Sequence, residues 1–448
     1  MMLKIRMILL FAVFSWIALP VKSQEDTTSF SLEAAVNYAM INSYVLQNAS
    51  KDIAIAQKKV WETIATGLPQ VSGSSNYNAF LNLPVSLIPG EFFGGEPGTY
   101  LPVKFGQDFN SDFGFSVNQL IFDGSYIVGV GSTQIYLDLA RQANEKSQIN
   151  IREAVSQAYF MVLISERYQN VMSDNLENQK KIYNETKILY ESGFREEQDV
   201  DQIDLLQRNA ENEMLRAERE LKIAKIVLKY TMGYSLDTEI FLTDSLEKFV
   251  NPLVEKQNSN PFNFNDHIDY RMAVTNFKIS EKLLDLEKVT YLPHLSGFYS
   301  YTKSAYGNKA NLYKSGTEWY PSSLVGLKLT LDIFNSGQKR SRVQQAKLEV
   351  EKADNELRLA ETTLEKDYLT AVANMENALS SFKNDRANRE LAEKIKEKTK
   401  IKFDNGMTTS IELAQIESQY IDAYHALVSS TLQLLQADIS LKKALGNL

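Results

Sequence analysis

The chain has 448 residues, with 44% hydrophobic and 23% charged residues, so disorder over most of its length is excluded. It contains no Cys, which excludes a disulfide framework, a thiolate metal site, a Cys nucleophile and an N-terminal lipid on Cys. With a formal charge of −8 and only three His (His267, His294, His425), it is a poor nucleic-acid binder and a poor His-type metal protein.

Residues 1–23 read as a signal peptide. Lys4 and Arg6 give a basic start, Met7 to Leu19 an apolar stretch, and Val21-Lys22-Ser23 a cleavage site. Its removal takes away three basic residues and no acid, leaving 45 basic against 56 acidic residues and a charge of −11. After it, the sequence has no apolar run long enough for a transmembrane helix.

The remainder is an internal repeat. Leu68-Pro69-Gln70-Val71-Ser72-Gly73 recurs as Leu292-Pro293-His294-Leu295-Ser296-Gly297. Tyr190-Glu191-Ser192-Gly193 recurs as Phe403-Asp404-Asn405-Gly406, and Tyr230-Thr231-Met232-Gly233 as Lys443-Ala444-Leu445-Gly446. Repeat 1 is expected over 24–233, an equatorial linker over 234–268 and repeat 2 over 269–448. Each repeat reads as a helix, a strand pair and a long helical hairpin.

Four strands are expected, over about 71–82, 113–122, 294–303 and 324–333. Each is near ten residues, apolar on one side and polar on the other: Val71 and Tyr77 oppose Ser72 and Asn76, while Val325 and Leu327 oppose Lys328 and Thr330. That length and alternation suit strands tilted across an outer membrane. Tyr77, Phe80, Phe113, Trp319 and Tyr320 would form an interfacial girdle. Residues 84–109 and 304–320 are expected as outward-facing loops. Four strands cannot close a barrel with a lumen, so several chains would have to share one.

Helical hairpins are expected over about 125–233, with its tip near 190–198, and 338–446, with its tip near 403–409. Within 125–190 there is no Pro, and within 338–403 neither Pro nor Gly, so each first arm would run roughly 100 Å. Gly193 and Gly406 stand where the chain turns back. A seam of alternating four- and three-residue steps runs through Ala210, Ala217 and Ala224, and again 213 residues later through Ala423 and Ala437. The fold class expected is α+β.

Signal peptide, doubled strand hairpin, doubled helical hairpin, Gly at both tips and a Leu-Gly near the end together resemble the TolC-type outer-membrane efflux channel (outer-membrane factor) family over about 30–446. The resemblance implies a homotrimer with a 12-stranded barrel in outer-membrane lipid and a helical tunnel in the periplasm of a Gram-negative bacterium. It implies a passive exit duct of a tripartite efflux or type I secretion system. Its partners would be a periplasmic adaptor (membrane fusion protein) and an inner-membrane pump of the RND or ABC type, without cofactor or catalysis.

Some family members carry Tyr, Arg and two Asp around the second tip; those positions here are Phe403, Thr408, Glu412 and Gln415. The same offsets at the first tip give Tyr190, Arg195, Asp199 and Gln202. A pore constriction would therefore draw on Asp199 and Glu412, with Tyr190 and Arg195 as a restraint. Two other classes compete. An exported structural coiled-coil or adhesin stalk would not need the doubled strand hairpins. An enzyme would need a nucleophile, metal or phosphate motif, and the sequence contains no GxSxG, Walker loop or HExxH.

Overall fold

The computed structural model describes residues 29–255 and 261–448, so the expected signal peptide lies outside the described residues. The chain divides into two units, one built from residues up to 47, 148–262 and 368–448, the other from 48–147 and 263–367. In chain order the elements are β1 (Ser29–Phe30), α1 (Leu32–Asn42), α2 (Tyr44–Ala65), β2 (Gln70–Ala79), β3 (Val85–Pro89), β4 (Tyr100–Lys104) and β5 (Phe109–Phe122). Then come α3 (Gly124–Glu191), α4 (Glu197–Met232), β6 (Phe241–Leu242), α5 (Leu246–Glu255), α6 (Ile268–Val289), β7 (His294–Gly307), β8 (Tyr320–Thr330), α7 (Gln338–Asp404) and α8 (Ser410–Ala444). No helix among the described residues is long and apolar enough to cross a membrane.

The unit containing 48–147 and 263–367 holds an antiparallel sheet of order β2-β5-β7-β8. Register puts Ser72, Ser116 and Ser300 on one face with Asn76, Asp112 and Ser304. The opposite face carries Val71, Val117, Tyr299 and Val325 in one row and Phe115 and Tyr301 in the next. The alternation sorts most polar and apolar residues between the two faces, the exceptions including Phe298 and Leu324 on the polar face and Ser75, Ser111 and Ser323 on the apolar one. All four junctions to helices lie at one end of the sheet, and both strand-to-strand connections, 80–108 and 308–319, lie at the other.

The structure departs from the expected elements in three places. The expected loop 84–109 contains a separate β3–β4 hairpin, in which Pro102, which cannot donate to a ladder, pairs opposite Leu87 on a two-stranded ribbon. Strand β8 begins at Tyr320 and stops at Thr330, so Leu331 and Ile333 fall outside it. Tyr320 pairs with Ser304 and so belongs to the polar face rather than the girdle.

The other unit is helical and contains the main hydrophobic core. Most of the seam is buried as its spacing demands, with Ala210, Ala217, Ala224, Leu228, Leu434 and Ala437 all buried, whereas Ala423 is only half-buried. Both hairpins end in the same pair of hydrogen bonds. At the first tip Gly193 N–H donates to the Tyr190 carbonyl (2.9 Å) and Phe194 N–H to Leu189 (2.9 Å); at the second, Gly406 donates to Phe403 (2.9 Å) and Met407 to Lys402 (2.8 Å). Gly193 and Gly406 have φ of 76° and 71°, the left-handed region that favours Gly at a helix end. Gly233 and Gly446 close α4 and α8 with the same bonding pattern, so the repeat extends to the helix caps.

The short segment before α5 is anchored by one carboxylate. Asp244 accepts from Leu32 N–H (2.7 Å), the Tyr159 hydroxyl (3.0 Å) and Lys248 Nζ (2.7 Å). Burial acts to raise the Asp244 pKa, but these hydrogen bonds outweigh it and hold the carboxyl below its ordinary value. A depressed folded-state pKa means stability that is present above the unfolded value, near 3.8, and lost as pH falls through the folded value. Asp244→Asn is expected to lower stability at neutral pH by about 1–3 kcal/mol. In denaturant titrations, the gap between wild type and variant should persist down to about pH 4 and close below it.

Candidate functional site: the hairpin tips

The two tips meet within the helical unit. Phe403, in the last turn of α7, is 3% exposed and packs with Ile182 of α3, Ile203 of α4 and Leu413 of α8. This small core draws one apolar residue from each arm of both hairpins, which fixes the tips against each other.

Polar contacts cross the tips in both directions, from Arg195 of the first tip to Phe403 and from Ser410 of the second tip to Asp199. Arg195 Nη2 donates to the Phe403 carbonyl at 2.6 Å. Its guanidinium carbon lies 4.3 Å from the centre of the Phe403 ring. The carbonyl already accepts from Gly406, so Arg195 takes its second lone pair and places a cation at the negative end of α7. Residue 408, the repeat counterpart of Arg195, is Thr; its hydroxyl is nearly buried and bonds the Glu412 carboxylate within its own tip.

The two carboxylates expected at the constriction are held differently. Asp199, in the first turn of α4, accepts from the Ser410 hydroxyl at 2.6 Å and so reaches across to the second tip. Gln202 Oε1 lies 2.6 Å from the same hydroxyl. One hydroxyl hydrogen serves one acceptor, and the carboxylate is the stronger of the two. Glu412 sits in the first turn of α8, where its N–H donates to the Thr409 hydroxyl at 3.2 Å, the cap of that helix. Both carboxylates stand at helix N-termini, where the helix dipole favours negative charge.

The structure therefore brings together Arg195, Phe403, Asp199, Thr408 and Glu412. It does not bring Tyr190 to Arg195: Tyr190 is 40% exposed, and no hydrogen bond or ring contact of its side chain occurs among the described residues. Gln415 is exposed and likewise outside the contact set. Sequence reasoning passed over Ser410, which is 2% exposed. The signal for it was weak, because its repeat counterpart is Glu197 and the two share no chemistry. At the end of the tips Phe194 and Met407, large apolar groups, are 78% and 77% exposed among the described residues.

Comparison with known proteins gives concordant results. The family model described as outer membrane efflux protein matches residues 35–234 and 269–447, that is, both repeats and not the segment between them. Among solved structures, the membrane channel CusC superposes with a TM-score of 0.73 at 14% identity, covering 93% of this chain and 92% of that one. The outer membrane channel MtrE of Neisseria gonorrhoeae, solved in its open state, gives 0.72 at 17% identity, over 93% and 88%. VceC, an outer membrane protein of Vibrio cholerae, gives 0.68 at 15% identity, over 93% and 96%. No curated protein matches the sequence. With both repeats matched and the fold shared along the chain, this protein belongs to the outer membrane efflux protein family, TolC-type channels of the Gram-negative outer membrane.

Proposed function

We propose that the chain forms a homotrimeric, passive exit duct of a tripartite efflux or type I secretion system. The observation that carries this reading is the pair of free edges on the four-stranded sheet. Strands β2 and β8 each pair on one side only. In lipid an unpaired edge is untenable, because no water replaces the missing partners. With four strands alternating in direction, β8 of one copy runs antiparallel to β2 of the next. Three copies then close an all-antiparallel barrel of 12 strands, with the polar face toward the lumen and the apolar face toward lipid.

The tips supply the periplasmic end of the duct. Three copies repeat Asp199 and Glu412 around one axis, and such carboxylate rings favour cations. The exposed Phe194 and Met407 suit docking by a periplasmic adaptor, itself joined to an inner-membrane pump. Reconstituted in planar bilayers, the protein is expected to form cation-selective channels that divalent ions partly block. Asp199→Ala with Glu412→Ala should lower the selectivity and relieve the block. Unchanged selectivity would place the narrowest ring elsewhere, and no conductance at all would contradict the duct.

A further inference from the structure

The connection between β7 and β8 does not stand away from the sheet. It folds over the apolar face at the end remote from the helices. The Tyr77 hydroxyl donates to the Ala310 carbonyl at 2.6 Å, and the Ser111 and Tyr313 hydroxyls lie 2.5 Å apart. Leu312 is 4% exposed, and Trp319 packs edge-on against Phe113 with ring centres 5.0 Å apart. Tyr313 lies 6.4 Å from Tyr77 and 5.6 Å from Trp319. Tyr77, Phe113, Tyr313 and Trp319 thus form an aromatic collar on the outward side of the sheet.

Three lysines belong to this collar. Lys303 pairs in register with Phe113 and Pro321, which places it on the apolar face. Lys309 and Lys314 lie in the folded connection itself. None of the three forms an ion pair among the described residues, although lysines elsewhere in them do so repeatedly. The one acidic residue of the connection, Glu318, accepts from the Tyr320 hydroxyl at 2.7 Å. In a chain with net charge −8, an unpaired basic group of this kind is a local reversal of sign.

Depth follows from strand geometry. Leu295, at the helix end, and Lys303 are eight residues apart on β7, about 27 Å along the strand and close to 20 Å along the normal at the usual tilt. Between them the apolar face presents Tyr299 and Tyr301 and, on the neighbouring strands, Val117 and Phe115. Lys303 therefore stands at the outer margin of the lipid-facing band, with Lys309 and Lys314 beyond it, where aromatic rings and ammonium groups meet headgroups.

We infer that this collar binds the phosphorylated headgroup of an outer-leaflet lipid, with Lys303, Lys309 and Lys314 taking the phosphates and Tyr313 and Trp319 the sugar or glycerol body. This rests on the barrel reading above, which orients the face toward lipid and this end outward.

The test uses the detergent-purified full chain, with retained lipid read by native mass spectrometry. Bis-phosphorylated lipid A, its dephosphorylated form and inorganic phosphate are the three probes. Wild type should retain bis-phosphorylated lipid A and release the dephosphorylated form, and inorganic phosphate should not displace the lipid. The variant K303Q/K309Q/K314Q should bind the phosphorylated lipid on the order of 100-fold more weakly at low salt, while Lys→Arg at all three positions should restore retention. Equal retention by the Gln variant, or equal retention of dephosphorylated lipid, overturns the inference. Full displacement by inorganic phosphate overturns the lipid assignment. Unchanged conductance and mass in the Gln variant keep this outcome separate from any failure of the duct reading.

Discussion

Phe403→Ala is expected to open the periplasmic end of the channel. The ring is 3% exposed and joins Ile182, Ile203 and Leu413, so truncation leaves a cavity where all four arms of the two hairpins meet. Removing a buried Phe side chain costs about 3–5 kcal/mol. The variant also takes away the face on which Arg195 rests, a contact worth about 0.5–2 kcal/mol. If the closed arrangement of the tips depends on this core, losing even 1.4 kcal/mol shifts the balance about tenfold toward opening. Resting conductance in planar bilayers should therefore rise by tenfold or more. Arg195→Ser, which leaves the core intact but removes the bond to the Phe403 carbonyl, should give a smaller rise in the same direction. Tyr190→Phe should give none, because the Tyr190 hydroxyl makes no hydrogen bond among the described residues. Wild-type conductance in Phe403→Ala would show that closure lies elsewhere on the helices.

Gly114→Ala is expected to abolish assembly of the sheet. Gly114 sits on β5, between β2 and β7, and a Cβ there would lie 2.2 Å from the Tyr301 carbonyl oxygen and 2.9 Å from Thr302 Cα. Both are backbone atoms of β7 and cannot move without breaking the ladder that pairs Gly114 with Thr302. Gly73, on β2 opposite Phe115, is the matched control: a Cβ there would meet only the Gly114 carbonyl oxygen, at an ordinary 3.8 Å. The yield of heat-resistant oligomer on unboiled gels should fall tenfold or more for Gly114→Ala and stay at wild-type level for Gly73→Ala. Equal yields would mean that β5 and β7 are spaced differently from the register described above.

The long elements were legible in the sequence because they depend on local rules. Absence of Pro marked α3, absence of both Pro and Gly marked α7, and Gly193 and Gly406 marked their ends, since a left-handed helix cap favours Gly in almost any context. The alternation of Val71 and Tyr77 with Ser72 and Asn76, and of Val325 and Leu327 with Lys328 and Thr330, marked the sheet faces, because side-chain period in a strand is two. What stayed hidden depends on contacts between distant segments. The β3–β4 hairpin lies among Pro and Gly residues that argue for loop, and only its pairing partner makes Val85–Pro89 a strand. At the tips, Arg195 and Asp199 were visible by repeat offset, but their partners were not. Offsets align each residue with its counterpart in the other hairpin, whereas Arg195 and Asp199 contact Phe403 and Ser410, which are not their counterparts. That the connection 308–319 folds back over the apolar face was hidden as well, because nothing in its composition says which face of the sheet it will cover.

The assembly itself can be weighed. Purified in detergent, the mature chain should scatter light as a single species whose protein mass, after subtraction of the bound micelle, is three times that of one chain, because two free strand edges per copy close only when copies share a barrel. The species should aggregate when detergent is withdrawn. A monodisperse, single-chain mass that persists without detergent would contradict the shared barrel and with it the duct.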